Sequence, residues 1–219
     1  TLKQDIPSFL ILFFLLLFFS DSRQEIFLFA KDAKNIATLL LPLNLLGIWR
    51  KLKFSSHFLM HISLFLIILW ITLFWADNPS LAFQKTLSYT IIIICIPSLF
   101  IYCFQEDKDF FKDLFYVFTS LMIIGLGLKY VMADFVIMEK NARFTGLLGN
   151  PNGIGIFITL SFVYFQILRK TPIASFSRQD LILFYVSLFA SLFFCKSRTA
   201  MMTILIFYSL NIVYNYSHF

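Results

Sequence analysis

Charge is scarce in this sequence. Eighteen Lys and Arg and 12 Asp and Glu are spread over 219 residues, 14% of the chain, where a soluble domain carries about 25%. So few charges cannot cover a globule facing water, and a soluble enzyme is excluded, as is a disordered or fibrous chain. Cysteine is almost absent. Cys95, Cys103 and Cys195 lie inside or at the end of apolar runs, with no CxxC and no metal-ligand spacing. They read as buried thiols in helices, and neither a metal nor another cofactor is expected. Histidine is as rare: His57, His61 and His218.

Apolar residues are what the chain has in excess, 59% of the total with a mean hydropathy of +0.83. They come in blocks of roughly membrane-spanning length, the mark of a polytopic membrane protein. Long unbroken runs, not alternating strands, point to helices over a closed barrel. The net charge of +6 would suggest nucleic acid in a soluble protein. Here the basic residues sit in short connections between apolar blocks, so membrane topology is the first explanation and no nucleic-acid partner is expected.

The expected fold is all-α, a polytopic helical bundle of about eight spans forming one domain over residues 1–219. Ser8–Phe19 is a short first span. Ile36–Trp49, with a start as early as Ile26, is the second. His57–Trp75, Thr86–Phe104 and Leu114–Val131 follow, the last carrying Gly125 and Gly127, which suit close helix contact. Asn152–Leu168, Leu181–Cys195 and Thr199–Tyr214 complete the set. The densest basic clusters beside spans, Arg50-Lys51-Lys53 and Arg169-Lys170, are assigned to the cytoplasm. That choice puts Lys3, Arg50, Lys51, Lys53, Lys108, Lys112, Arg169, Lys170 and Arg178 inside. It leaves Arg23, Lys31, Lys34, Lys85, Lys129, Lys140, Arg143, Lys196 and Arg198 outside, an equal number. An even split runs against the usual bias and carries information if some outer cations are kept for binding; Lys140, Arg143, Lys196 and Arg198 are the candidates.

Three segments could carry chemistry. The first runs from Arg143 to Gly155 and holds four of the seven glycines, Gly146, Gly149, Gly153 and Gly155. Asn150 is a good helix N-cap, and Pro151 fits the first turn, where its missing N–H costs nothing. A helix N-terminus with free N–H groups and an arginine just upstream makes an anion site; a capped helix start behind a topogenic arginine is the structural alternative. The second is Lys196-Ser197-Arg198-Thr199-Ala200, joining two spans with almost no loop. Its hydroxyls would cap the next helix and its cations could grip a phosphate, unless they simply mark the interface. In the chosen topology both segments lie on one membrane face, and Lys129, about a turn away, either snorkels out or lines the same cavity. The third is Trp70–Ser80, where Trp75 fits an interfacial aromatic belt, Asn78-Pro79 reads as a turn, and Asp77 is exposed or points into a cavity.

Together these segments resemble the bacterial O-antigen ligase and polymerase family, membrane glycosyltransferases that use polyprenyl-diphosphate-linked glycans. The family shows an Arg-x-x-Gly followed by a Pro-Asn at the start of a span, here Arg143, Gly146, Pro151 and Asn152. It then shows a Ser-Arg one or two spans later, here Ser197 and Arg198. A Trp-Ser-x-x-Pro-like span end is matched by Trp75-Ala76-Asp77-Asn78-Pro79, with alanine in place of serine. The resemblance covers the chain from about Trp70 onward.

The resemblance implies the membrane part of a GT-C-like enzyme in the bacterial inner membrane, multi-pass, with its active face periplasmic. It implies an inverting, metal-independent transfer of a glycan from undecaprenyl diphosphate to an acceptor hydroxyl, on lipid A-core for a ligase or on another glycan for a polymerase. Arg143, Arg198 and Lys196 would bind the diphosphate. Gly146, Gly149, Asn150, Pro151, Asn152 and Ser197 would shape the site. Membrane lipids are the remaining partners. Family members have about twice this number of spans, with a large outer loop after the Ser-Arg span that bears the histidine taken as base. None of the three histidines here matches it, so no catalytic base is assigned and the chain is expected to be incomplete at its carboxyl end. A lipid-linked-glycan flippase and an inactive truncated product are the competing functions. A secondary transporter is disfavoured, because the spans from His57 onward lack ionisable residues near the midplane.

Overall fold

The computed structural model describes residues 5–138, 143–171 and 175–216. Among them the chain is helical apart from one short strand pair. The helices are α1 (Asp5–Ser20), α2 (Phe29–Ile48), α3 (Ser56–Ile71), α4 (Pro79–Glu106), α5 (Asp109–Val131), the single turn α6 (Ala133–Val136), α7 (Pro151–Lys170), α8 (Arg178–Cys195) and α9 (Arg198–Tyr216). Between α6 and α7, β1 (Ile137–Met138) and β2 (Arg143–Phe144) pair antiparallel, with Ile137 opposite Phe144.

Each apolar run identified in the sequence falls in a helix, with Trp49 and Thr72–Trp75 in short 3-10 turns at helix ends. Five helical segments are long and apolar enough to cross a membrane: Ser56–Trp75, Pro79–Glu106, Asp109–Val131, Pro151–Lys170 and Arg178–Cys195. This is compatible with a multi-pass membrane protein. Two of the other helices fall short on length or charge among the described residues. α1 has 16 residues, roughly 24 Å of helix against a hydrocarbon core of about 30 Å. α2 carries Lys31, Asp32 and Lys34 in its first turns.

Helix starts follow local chemistry. Asn78 does not make a free-standing turn: its side chain accepts a hydrogen bond from the Leu81 N–H at 3.2 Å and caps α4, with Pro79 in the first turn. This cap starts α4 seven residues before the expected Thr86. At α8, Ser177 and Asp180 form a reciprocal capping box, each side chain taking the other's backbone N–H and so satisfying two orphan donors.

The chain divides into two compact units. One comprises Thr1–Phe13 and Asp32–Asp107. Within it α3 and α4 pair; the Trp70 indole N–H donates to the Thr90 hydroxyl at 3.1 Å, and its ring meets Phe83 edge-on. α3 buries no residue at all, and Phe74 at its end is 85% exposed. A helix apolar on every side and buried on none is suited to lipid.

The other unit comprises Phe14–Lys31 and Lys108–Phe219. Here α7 packs against α5, α8 and α9. Phe115, Phe165 and Phe184, one from each of α5, α7 and α8, meet with ring centroids 4.5–5.3 Å apart. The Tyr164 hydroxyl donates to the Phe111 carbonyl at 2.9 Å. Gly125 does take a close contact, though with a loop instead of a helix: an added Cβ would lie 3.4 Å from the Phe144 ring and 3.6 Å from the Gly146 Cα. Gly127 meets nothing within 4 Å, so its expected packing role is not found.

Candidate functional site

The glycine-rich segment builds a tight turn ahead of α7. After β2, Gly146–Leu148 forms one 3-10 turn. Gly146 at φ +54° and Gly149 at φ +61° both adopt the left-handed backbone, which a side chain would strain. Asn150 then caps α7, its side-chain oxygen accepting from the Asn152 N–H at 3.1 Å, with Pro151 in the first turn. The cap and the glycine conformations are those the sequence leads one to expect. Pro151 is buried and the Asn152 side chain exposed.

The second segment meets the first directly. α8 ends at Cys195 and α9 begins at Arg198. The reversal is so tight that Lys196 sits at φ +50°, a conformation that glycine usually supplies at a helix end. Buried Ser197 caps α9, its hydroxyl accepting from the Ala200 N–H at 3.4 Å. Ser197 also presses on α7: a Cβ added to Gly155 would lie 2.7 Å from the Ser197 oxygen. Gly155 is glycine because the α8–α9 junction occupies the space of any larger residue.

Arg143 ties the two segments together. It is half-buried, and its Nε donates to the Cys195 carbonyl at 3.1 Å. That bond satisfies an orphan carbonyl at the C-terminus of α8 and sets a cation at the negative end of the helix dipole. Lys129 reaches the same place from α5, its ammonium 3.0 Å from the centroid of the Phe194 ring, a cation–π contact. It neither snorkels freely nor stands in an open cavity. Lys129 on Phe194 and Arg143 on Cys195 meet the end of α8, which is followed in the chain by Lys196 and Arg198, both exposed. Among the described residues none of the four has a carboxylate partner. With no carboxylate partner among the described residues, these cations could attract an anion.

The sequence reading missed the polar link between α1 and α2. The Arg23 N–H donates to the Leu148 carbonyl at 2.9 Å, and the Ser22 hydroxyl to the Leu147 carbonyl at 2.9 Å. The Gln24 amide donates to the Phe135 carbonyl at 2.6 Å. Arg23 and Gln24 also lie against Gly149, where an added Cβ would stand 3.3 Å from the Arg23 Cβ and the Gln24 amide nitrogen. Asp21 brings a carboxylate oxygen to 3.2 Å from the Cβ position of Gly153, beside the first turn of α7. It thereby answers part of the positive end of that helix itself.

Other candidates lie elsewhere. Asp77 and Asn78 are exposed at the start of α4. His57 and His61 are exposed on α3, where the His61 Nδ1 lies 2.6 Å from the His57 carbonyl; its partner is local and it faces no cavity. Lys140 and His218 lie outside the described residues. Cys95, Cys103 and Cys195 are buried free thiols in helices. Among the described residues no group of three His, Cys, Asp or Glu side chains is placed to hold a metal ion. In comparison with known proteins, no family model, no curated protein and no solved structure matches the chain.

Proposed function

We propose that the chain is a membrane glycosyltransferase of the O-antigen ligase type, which binds a glycan carried on undecaprenyl diphosphate at the periplasmic face of a bacterial inner membrane. In this reading α1, α2 and α9 join the five long apolar helices to give eight spans. Support comes from one observation above all: cations from three separate stretches of chain converge on the end of α8 with no acidic partner among the described residues.

Arg143 would use its Nη atoms, left over after its Nε serves Cys195, on one phosphate. Arg198 and Lys196 would hold the other. Guanidinium suits the task because its planar fork pairs with phosphate oxygens and stays protonated at any relevant pH. In the transfer, the acceptor hydroxyl oxygen bonds to the anomeric carbon as the bond from that carbon to the diphosphate oxygen breaks. The electron pair leaves with undecaprenyl diphosphate, and its growing charge is what the cations stabilise. The hydroxyl proton goes to a base that no described residue is assigned to be. A ligase, with lipid A-core as acceptor, and a polymerase, with a glycan as acceptor, would use the same cations.

The test is glycan transfer in cells that depend on this protein, with Arg143→Ala and Arg198→Ala at matched protein levels. Each should lose most of the transfer. Normal transfer in both variants would refute the proposal.

A further inference from the structure

The far end of α7 carries a second feature. There α7, α8 and α9 enclose an open cleft of about 660 Å³. Its rim holds Arg169 and Lys170, the last two residues of α7. The Lys170 ammonium donates to the Asn211 side chain of α9, and the Gln166 amide donates to the Tyr185 hydroxyl of α8 at 3.3 Å. Tyr208 adds a second hydroxyl to the lining, and among the described residues no acidic one contributes to it. Phe189 and Leu205 make apolar walls and are themselves more than half exposed. The cleft is separate from the site at the other end of the helix: from Pro151 to Arg169 is roughly 27 Å at 1.5 Å per residue.

Cations closing a span are ordinary at a membrane interface and would by themselves mark only that. Here they stand over a cavity whose polar rim passes into apolar walls, formed by helices two of which are apolar enough to cross a membrane. An amphiphile with an anionic head fits that gradient, and basic pockets between spans are suited to phospholipid headgroups. We propose that the cleft binds an anionic phospholipid, with its phosphate against Arg169 and Lys170 and an acyl chain along Phe189 and Leu205.

The experiment uses the purified full chain in detergent, stripped of lipid, titrated with dioleoyl phosphatidylglycerol and, separately, with dioleoyl phosphatidylcholine. Bound lipid is counted by native mass spectrometry. Phosphatidylglycerol should be retained in preference to phosphatidylcholine. Arg169→Gln with Lys170→Gln should weaken it about 25-fold, taking about five-fold per cation near the surface. Leu205→Trp, which fills the cleft and keeps both charges, should also weaken it, whereas Lys51→Gln with Lys53→Gln, outside the cleft, should not. Inorganic phosphate at millimolar concentration should not displace the lipid. Equal retention of both lipids, unchanged binding by the Arg169/Lys170 double variant, or full displacement by inorganic phosphate would overturn the proposal. No glycan or lipid diphosphate enters the assay, so its failure is separate from failure of the transferase reading.

Discussion

Arg143→Lys separates the two roles that geometry gives to this side chain. The guanidinium holds the end of α8 through one N–H donated to the Cys195 carbonyl, and a lysine ammonium can donate that single bond. Removing the donor altogether leaves the carbonyl unpaired, and a hydrogen bond to a charged group contributes about 1.5–3 kcal/mol. Arg143→Ala should therefore lower the thermal midpoint by roughly 3–12 °C, at about 2–4 °C per kcal/mol for a chain of this length. Arg143→Lys should cost less than about 1 kcal/mol. Binding of a lipid diphosphate should respond differently, because a point charge cannot replace a bidentate fork. Loss of one charge-assisted bond of about 1.5–3 kcal/mol weakens binding roughly 10–100-fold. The assay is a thermal melt of each purified variant beside a titration with undecaprenyl diphosphate. If Arg143→Lys melts and binds like the parent protein, Arg143 is a helix cap and nothing more.

Five further outcomes follow from the geometry and the assigned topology. Gly155→Ala, whose new Cβ would fall 2.7 Å from the Ser197 oxygen and 2.9 Å from its Cβ, should destabilise the protein by about 1–3 kcal/mol. Gly127→Ala, which meets nothing within 4 Å, should stabilise it by about 0.5–1 kcal/mol; equal melting of the two variants would refute the close contact. Lys196→Gly relieves the left-handed backbone at φ +50° but removes a cation, so it should raise or hold the melting temperature while weakening diphosphate binding several-fold. Asp21→Asn takes a negative charge from the first turn of α7 and should tighten diphosphate binding; weaker binding would give that carboxylate a different role. Single cysteines at positions 143 and 170, with the native thiols removed, should differ in labelling by an impermeant maleimide from outside, 143 reacting and 170 protected. The reverse pattern would turn the topology over.

Apolar runs mark helices plainly, because a span must satisfy its backbone internally and keep its surface apolar; even α1, which is short, and α2, which is charged in its first turns, show through. Local chemistry at Asn150 and Pro151 was equally readable, since a cap involves residues two or three apart. Asn78-Pro79 carries the same signature yet reads as a turn from the sequence alone, since a turn and a helix start share these residue types. What could not be read are contacts between distant stretches. Nothing in Ser22-Arg23-Gln24 marks it as the partner of the Gly149 turn, because single polar residues in loops have no periodicity. The bond from Arg143 to Cys195 pairs a side chain with a backbone carbonyl, and every residue carries a carbonyl. Paired over two residues each, β1 and β2 are too short for an alternating pattern.

The most direct measurement is the affinity of the purified chain for undecaprenyl diphosphate, set against undecaprenyl monophosphate and against the Arg143→Lys/Arg198→Lys double variant. Cations that hold both phosphates predict clear preference for the diphosphate and loss of that preference in the double variant, with the protein still folded. Equal affinity for the two lipids, or a preference that survives in the double variant, would contradict a diphosphate site at the end of α8.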